Sequence, residues 1–257
     1  MTPTDTSTSD AGLVHLAVVG PLATITLDSP HNRNALSRQL VTELFGHLEA
    51  AEADPAVRVV LVRSADRVFC SGADLSEATA GGMEEGARRI VELQRFVLTM
   101  SKPVVTEVLG AVRAGGIGLV AASDVAVVAE DASFALTEVK LGLAAAIISL
   151  TVHHRMHPRA AALTTLGGEV FRGADAAAYG LVTTAVPADR LEEVVRRVCD
   201  SLATGAAQGL RESKRILNRD LVERIDARGE EMAALSAGLF ASDEAREAMT
   251  AFLDRKK

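Results

Sequence analysis

Two segments of the chain combine small residues in a way that suits the stabilisation of negative charge. The first spans residues 69–75 (FCSGADL), and the second spans residues 110–118 (GAVRAGGIG). Small residues allow the backbone to approach a ligand closely. A helix that starts near Gly115 would also direct free N–H groups, and the positive end of its dipole, toward an oxyanion. Together the segments predict an oxyanion hole made of two backbone N–H groups.

Either segment alone is equally well explained as an ordinary turn between a strand and a helix, because glycine-rich turns are common. Cys70 and Ser71 lie in the first segment and are potential nucleophiles. The sequence has no G-x-S-x-G nucleophile elbow around either residue, so a peptidase is disfavoured.

His153 and His157 have the i,i+4 spacing of a helical zinc site, with His154 between them. The glutamate of an H-E-x-x-H motif is missing, and the sequence shows no third ligand. A basic helix surface is therefore the better interpretation, and we predict no metal.

The two segments, and their order along the chain, are similar to those of one protein family. FCSGADL is similar to the segment F-[CS]-[AS]-G-A-D-[LI] of the crotonase (enoyl-CoA hydratase/isomerase) family, and residues 110–143 resemble that family's second block. Residues 32–36 (NRNAL) resemble its "NAL" element, and residues 249–255 (MTAFLDR) resemble its C-terminal ending. The likeness extends over residues 12–256, with the blocks in the family's order.

The resemblance implies a role for each matching residue. It places the oxyanion-hole N–H groups on Ala73 and Gly115, where they would bind the thioester carbonyl oxygen and favour its enolate form. It implies contacts with CoA or the acyl group for a larger set: Arg33, Ala35, Ser71, Asp74, Leu75, Gly116, Gly118, Phe252 and Arg255. In many family members the last two reach the CoA of a neighbouring subunit.

The resemblance also assigns the acid/base role to Glu138. Phe134, Leu136, Val139 and Leu141 flank this glutamate, so we expect partial desolvation and a raised pKa. Without the resemblance, a solvated carboxylate would be the better interpretation. Many hydratases of the family carry a second glutamate at the position of Gly118, and we expect the glycine to free space beside the acyl chain.

One glutamate leaves three functions open. The resemblance favours an enoyl-CoA hydratase, because members that hydrate branched glutaconyl-type thioesters also carry glycine at the position of Gly118. The first alternative is a Δ3,Δ2-enoyl-CoA isomerase, which needs one carboxylate to move a proton. The second is an acyl-CoA-binding protein without catalysis. The resemblance implies a homotrimer or a dimer of trimers, and no cofactor, because CoA is part of the substrate.

The composition restricts the function and the location. The 257 residues carry a formal net charge of -7, and no basic block occurs, so nucleic-acid binding is disfavoured. No apolar run reaches the roughly 20 residues of a membrane span, and residues 1–10 lack the pattern of a secretory signal. Two lone cysteines fit a reducing compartment. We therefore expect a cytoplasmic protein that does not contact membranes.

Strand-like and helix-like runs alternate along most of the chain, which predicts an α/β fold with a largely parallel sheet. Helices are expected at 37–54, capped by Ser37, and at 84–100, 150–166 and 189–203, with strands at 13–19, 22–28, 57–63, 103–108, 124–129 and 181–186. With the resemblance, this becomes a crotonase spiral of ββα units. We expect a disordered segment at 1–11, the spiral core at 12–200 and a helical C-terminal region, suited to oligomerisation, at 201–257.

Overall fold

The computed structural model describes residues 12–74, 76, 77 and 83–254, so the segment 1–11 predicted to be disordered lies outside the described residues. In chain order, the elements are β1 (Val14–Val19), β2 (Leu22–Leu27), α1 (Arg38–Ala53), β3 (Val59–Ser64), α2 (Met83–Thr99), β4 (Val104–Val108), β5 (Ala111–Arg113), α3 (Gly115–Ala122), β6 (Val125–Ala129), β7 (Ser133–Ala135), α4 (Ala146–Arg155), α5 (Pro158–Gly167), β8 (Phe171–Arg172), α6 (Gly173–Ala178), β9 (Thr184–Val186), α7 (Leu191–Ala203), α8 (Ala207–Phe240) and α9 (Asp243–Asp254).

The main sheet has six strands in the order β1-β2-β3-β4-β6-β9. The hairpin β1-β2 is antiparallel, and every later neighbour pairs in parallel, which confirms the predicted α/β class. Its central strands are runs of valine, leucine and alanine with almost no exposure, as expected for strands covered on both faces. This sheet is the rigid base from which the loops of the candidate site emerge.

A second sheet of three short strands, β5-β7-β8, was not predicted from the sequence. Its strands contain only two or three residues, too few for an alternating pattern to be recognised. Cys70 pairs with Val112 of β5 through an isolated β-bridge, so the start of the segment 69–75 is attached to the second sheet. The small sheet therefore connects the two segments that were predicted to carry the chemistry.

Most predicted helices are present, and one prediction is wrong in its continuity. The Ser37 side chain accepts a hydrogen bond from the Leu40 N–H and caps α1 as predicted. The helix expected at 150–166 is instead two helices, α4 and α5, because Pro158 lies at the start of α5 and disfavours helical backbone in the residue before it.

The C-terminal part of the described chain is helical. Helix α8 contains 34 residues and packs against α2 and α4, while α9 packs against the turn Glu138–Leu141. Helix α7 crosses residue 200, so the boundary proposed there falls inside an element, and the division of the chain remains a prediction. Over the residues that the structure describes, no helix combines the length and the apolar character needed to cross a bilayer.

Candidate active site

The two small-residue segments touch each other immediately before the predicted oxyanion-hole residues. A Cβ added to Gly72 would lie 2.9 Å from the Ala114 Cβ, and Gly72 has a φ of +95°. Ala114 itself has φ 46° and ψ -122°, a conformation that an alanine rarely adopts. Gly72 directly precedes Ala73, and Ala114 directly precedes Gly115. The contact between Gly72 and Ala114 therefore places the peptides that carry the two candidate N–H groups beside each other.

Backbone hydrogen bonds fix both segments around this contact. The Leu36 N–H donates to the Gly72 carbonyl at 2.8 Å, and the Arg113 N–H donates to the Cys70 carbonyl at 2.9 Å. Within the described part of the chain, the N–H groups of Ala73 and Gly115 donate to no acceptor. Two immobile, unused donors on adjacent loops are what the stabilisation of an oxyanion requires.

Helix α3 begins at Gly115 as predicted, and all eight of its residues are buried. A Cβ on Gly115 would lie 2.8 Å from Leu36 Cδ1, and one on Gly116 would lie 2.6 Å from Cys70 Cβ. A side chain at Gly116 would push the helix away from the Cys70 segment, whereas one at Gly115 would require only the end of the Leu36 side chain to move. Burial raises the pKa of the Cys70 thiol to about 12, so this thiol stays protonated and is a poor nucleophile at neutral pH.

The segment 32–36 is physically joined to the segment 69–74. The Ser71 N–H donates to the Arg33 carbonyl at 3.1 Å, and the Ser71 hydroxyl donates to the Asn32 carbonyl at 3.0 Å. Asn32 Nδ2 also donates to Asp74 Oδ2 at 3.1 Å. The structure thus brings together four residues predicted to contact CoA or the acyl group, namely Arg33, Ala35, Ser71 and Asp74.

Glu138 is the first residue of a short 3-10 turn that ends at Leu141. Its Oε2 atom is buried and has no hydrogen-bond partner among the described residues. Burial raises the pKa of this carboxyl from its usual 4.5 to about 7, which confirms the predicted direction. Val139 is 41% exposed, so it does not provide the shielding expected from its position in the sequence. A carboxyl with this pKa can both accept and donate a proton near neutral pH.

Helix α9 supports the turn that carries Glu138. A Cβ added to Gly142 would lie 3.2 Å from the Ala245 backbone, and Gly142 has a φ of +68°. The Leu143 N–H donates to the Glu138 carbonyl at 3.0 Å. The C-terminal helix therefore holds this turn in place by close backbone packing.

A cavity of about 450 Å³ extends from Ala73 between α1, α2 and the end of α8. Its apolar lining comes from Leu36, Val41, Ala73, Met83, Ala87, Ile90, Ile147 and Phe240, and its polar lining from Ser37, Arg38, Thr42, Asp74, Glu77, Glu85, Arg89 and Ser236, with Gly86 between them. Glu138 and Gly115 are not among these residues. A volume of this size is within the usual range for small-molecule sites.

Comparison with known proteins agrees with this architecture. The family model described as "Enoyl-CoA hydratase/isomerase" matches residues 19–257. A crystal structure of an enoyl-CoA hydratase from Mycobacterium avium superimposes with a TM-score of 0.89 at 43% identity, covering 95% of this chain and 96% of that one.

Two curated relatives extend the comparison. A Thermus thermophilus protein whose name contains "enoyl-CoA hydratase" is 35% identical over 204 residues, which is 77% of this chain and 81% of its own length. The "Crotonyl-CoA hydratase" of Syntrophomonas wolfei is 28% identical over 92% of this chain and 93% of its own.

The chain belongs to the enoyl-CoA hydratase/isomerase family. The predicted membership and the predicted crotonase fold are therefore confirmed. This family acts on acyl-CoA thioesters, so the cavity at Ala73 is the natural candidate for the acyl group in this member.

The expectation that Gly118 frees space beside the acyl chain is wrong. A Cβ at Gly118 would lie 2.4 Å from Ile148 Cγ2 and 3.1 Å from Gln94 Oε1. Ile148 from α4 therefore fills the volume beside this glycine. Gln94 is also unavailable to hold a water molecule, because its amide donates to the Ile90 and Ile147 carbonyls and its Oε1 accepts from Thr151.

Three predicted substrate contacts lie partly or wholly outside the described structure. Leu75 and Arg255 are outside the described residues, while Phe252 belongs to α9 by its backbone and its side chain is not described. Sequence reasoning missed the cavity walls formed by α2 and by Ser236 of α8. The adjacent apolar residues Leu239 and Phe240 were the available indication in the sequence that this part of the chain forms a cavity wall.

The histidines of α4 and its following turn have ordinary contacts. His153 Nε2 lies 3.1 Å from the Thr165 hydroxyl, and burial, with a further contribution from nearby Arg224, lowers the pKa of His153. No group of three or more histidine, cysteine or acidic side chains within the described ranges has the arrangement of a metal site.

Proposed function

We propose that this protein adds water across the 2,3-double bond of an acyl-CoA thioester. The observation that supports this most is Glu138, a buried carboxyl with an unpaired oxygen and a pKa of about 7 in a member of this family. A group that is half ionised near neutral pH can take a proton from water and return it within one reaction.

In the proposed reaction, the N–H groups of Ala73 and Gly115 bind the thioester carbonyl oxygen. The Glu138 carboxylate removes a proton from water while the water oxygen bonds to Cβ, and the thioester becomes an enolate. The protonated Glu138 then gives its proton to Cα, which restores the carboxylate and completes the addition of one water. Loss of one such N–H donor typically costs about 3–4 kcal/mol of barrier.

We also propose that the segments 32–36 and 69–74 bind CoA. Arg33 is exposed and supplies a cation for a phosphate, while Ala35, Ser71 and Asp74 shape the adjoining backbone. Gly116 and Gly118 would be acyl contacts by the resemblance alone, since neither lines the cavity at Ala73. Leu75, Phe252 and Arg255 would contact CoA, the last two from a neighbouring subunit of a trimer or hexamer. The chemistry described requires no metal or redox cofactor, and we expect the protein to act in the cytoplasm.

A Δ3,Δ2-enoyl-CoA isomerase is the second candidate, and the packing at Gly118 favours it. Ile148 occupies the space where a second carboxylate would have to extend. One carboxylate is enough to carry a proton between Cα and Cγ, whereas hydration also requires that a water molecule be oriented. Glu138 would serve both reactions, so the two candidates differ in substrate, in product and in the need for an oriented water molecule.

The test is a turnover assay with crotonyl-CoA and 3-methylglutaconyl-CoA for hydration, and with a 3-enoyl-CoA for isomerisation. We expect water addition by the wild type, with kcat/KM rising as pH passes through about 7, because the carboxylate form of Glu138 is the base. Glu138→Gln should lower kcat by about 10²–10⁴-fold. Full hydration activity in Glu138→Gln would refute the assignment.

The matched control is Glu107→Gln. Burial also raises the pKa of Glu107, but this residue lies on β4 of the main sheet, near Glu192 of α7, and outside the segments that carry the candidate site. This variant should retain the wild-type rate. Wild-type protein that binds acyl-CoA but turns over none of the three substrates would instead identify a binding protein without catalysis.

A further inference from the structure

Helix α8 places one buried hydroxyl on the wall of the cavity that begins at Ala73. Ser236 is 7% exposed and lines this cavity. Several other helical hydroxyls donate one turn back, as Ser149 does to the Ala146 carbonyl and Thr250 to the Arg246 carbonyl. Ser236 has no hydrogen-bond partner among the described residues. The hydroxyl of this largely buried residue therefore finds its partner in the contents of the cavity, either water or a bound molecule.

The surroundings of Ser236 restrict the chemistry of that partner. Phe240 lies one helical turn further along α8, and Ile90 and Ile147 contribute apolar surface to the same cavity. A molecule that reaches Ser236 must therefore be largely apolar, with a polar atom at one point.

The charged lining disfavours an anionic acyl group. Three carboxylates line the cavity (Asp74, Glu77 and Glu85) against two guanidinium groups (Arg38 and Arg89). Arg89 is already engaged, because it pairs with Glu92 and lies 4.7 Å from the centre of the Phe45 ring. A chain that ends in a carboxylate would therefore meet a lining with one more negative group than positive groups.

We propose that Ser236 is a specificity-determining residue that forms a hydrogen bond with an uncharged oxygen on the acyl chain of the substrate. The substrate class is then an acyl-CoA whose chain is apolar apart from a hydroxyl, ether or keto oxygen. This inference rests on the proposed function only in taking the cavity as the acyl site.

The preference follows from how each kind of acyl chain changes the hydrogen bonding of the Ser236 hydroxyl. A plain hydrocarbon chain displaces water from the hydroxyl and leaves it unpaired, whereas an oxygen at the right position replaces the lost hydrogen bond. Sites built around a hydrogen bond reject an analogue that lacks the bonding atom much more strongly than apolar pockets reject a single methylene. The expected discrimination is about tenfold or more.

The experiment measures equilibrium binding by calorimetry, using octanoyl-CoA and a set of analogues in which an ether oxygen replaces one chain methylene at successive positions. These thioesters are saturated and cannot be hydrated, so binding is read separately from turnover. We expect one oxygen position to bind about tenfold more tightly than octanoyl-CoA in the wild type. Ser236→Ala should abolish that preference, and Ser236→Cys, which conserves the volume, should weaken it.

Ser149→Ala is the matched control, because the Ser149 hydroxyl already has a partner within its own helix. This variant should keep the wild-type preference. Equal binding of all analogues to the wild type, or a preference that survives in Ser236→Ala, overturns the inference. A preference for one analogue in a protein that hydrates no enoyl-CoA would support the inference and refute the hydratase; hydration without any preference would do the reverse.

Discussion

Glu138 has a buried carboxyl oxygen and Lys214 is buried as a whole, but the surroundings of these two ionisable groups differ. Lys214 is 4% exposed, and its Nζ lies 2.7 Å from Asp124 Oδ2 while it donates to the Lys102 carbonyl at 2.9 Å. Asn218 adds a hydrogen bond to the other oxygen of Asp124. The Glu138 carboxyl, in contrast, has a buried oxygen with no partner within the described residues.

The backbone shows the same contrast. Among the described residues, three that are not glycine have positive φ: Arg33, Asn34 and Ala114. All three lie in or beside the segments that carry the candidate site, while Lys214 and Asn218 lie within the regular helix α8. Strained backbone and an unpaired carboxyl oxygen occur in the segments of the candidate site, whereas paired charges fasten α8 to the core.

The largest expected effect comes from breaking the paired region. Lys214→Ala leaves the Asp124 carboxylate without its cation in a nearly buried site, so we expect the free energy of unfolding to fall by about 3–5 kcal/mol. Urea unfolding at neutral pH measures this change. The folded fraction of the variant should keep its turnover number, because Lys214 does not line the cavity.

The exposed pair between Arg95 and Asp226 is the control for this prediction. It also connects α2 to α8, but its side chains are 47% and 45% exposed. Arg95→Ala should cost less than about 1 kcal/mol, since water screens exposed ion pairs. Equal losses in the two variants would mean that burial does not distinguish the pairs.

A smaller effect is expected from Glu138, and it has a defined pH dependence. Its folded pKa of about 7 lies above the unfolded value near 4.5, so the folded state favours the protonated carboxyl. The associated stability is complete below the unfolded pKa and is lost as pH rises through the folded pKa. Glu138→Gln removes this titration, so wild type should lose about 3 kcal/mol relative to the variant between about pH 4 and pH 8.

Urea unfolding of both proteins across that range measures the difference. A constant difference at all pH values would show that the Glu138 carboxyl has the same pKa in the folded and unfolded protein, as a solvated carboxyl would. Together with the turnover assay, this result separates the chemical role of the carboxyl from its cost to stability.

The sequence predicted the framework well, because the long elements have strong local patterns. Ser37 and the apolar face of α1 defined a helix within one residue of its start, and valine-rich runs defined β3, β4 and β6. The start of α3 at Gly115 followed from the glycines alone. The raised pKa of Glu138 was predicted from its apolar neighbours, although one of them, Val139, is exposed.

What the sequence could not predict depends on contacts between distant segments. The pairing of Cys70 with Val112 and the unpaired state of Ser236 arise only when the chain is folded. The same limit applies at Gly118, where absence of a side chain suggested free space. Ile148, thirty positions later, occupies that space, and no local pattern announces such a contact.

The smallest expected effect tests that contact directly. Gly118→Ala places a methyl group 2.4 Å from Ile148 Cγ2, so we expect overpacking to lower the free energy of unfolding by about 1–3 kcal/mol. Gly46→Ala is the control, because Gly46 lies inside α1 with no atom within 4 Å of the added methyl. That substitution should instead stabilise the protein by up to about 1 kcal/mol.

A double-mutant cycle with Ile148→Ala identifies the cause. If Ile148 fills the space beside Gly118, the two substitutions together should destabilise less than the sum of each alone, by at least about 0.5 kcal/mol. Simple additivity would mean that Gly118 faces open volume, as the sequence alone suggested. In that case the position could accommodate a longer side chain, and Gly118→Glu would become a direct way to ask whether a second carboxylate increases hydration relative to isomerisation.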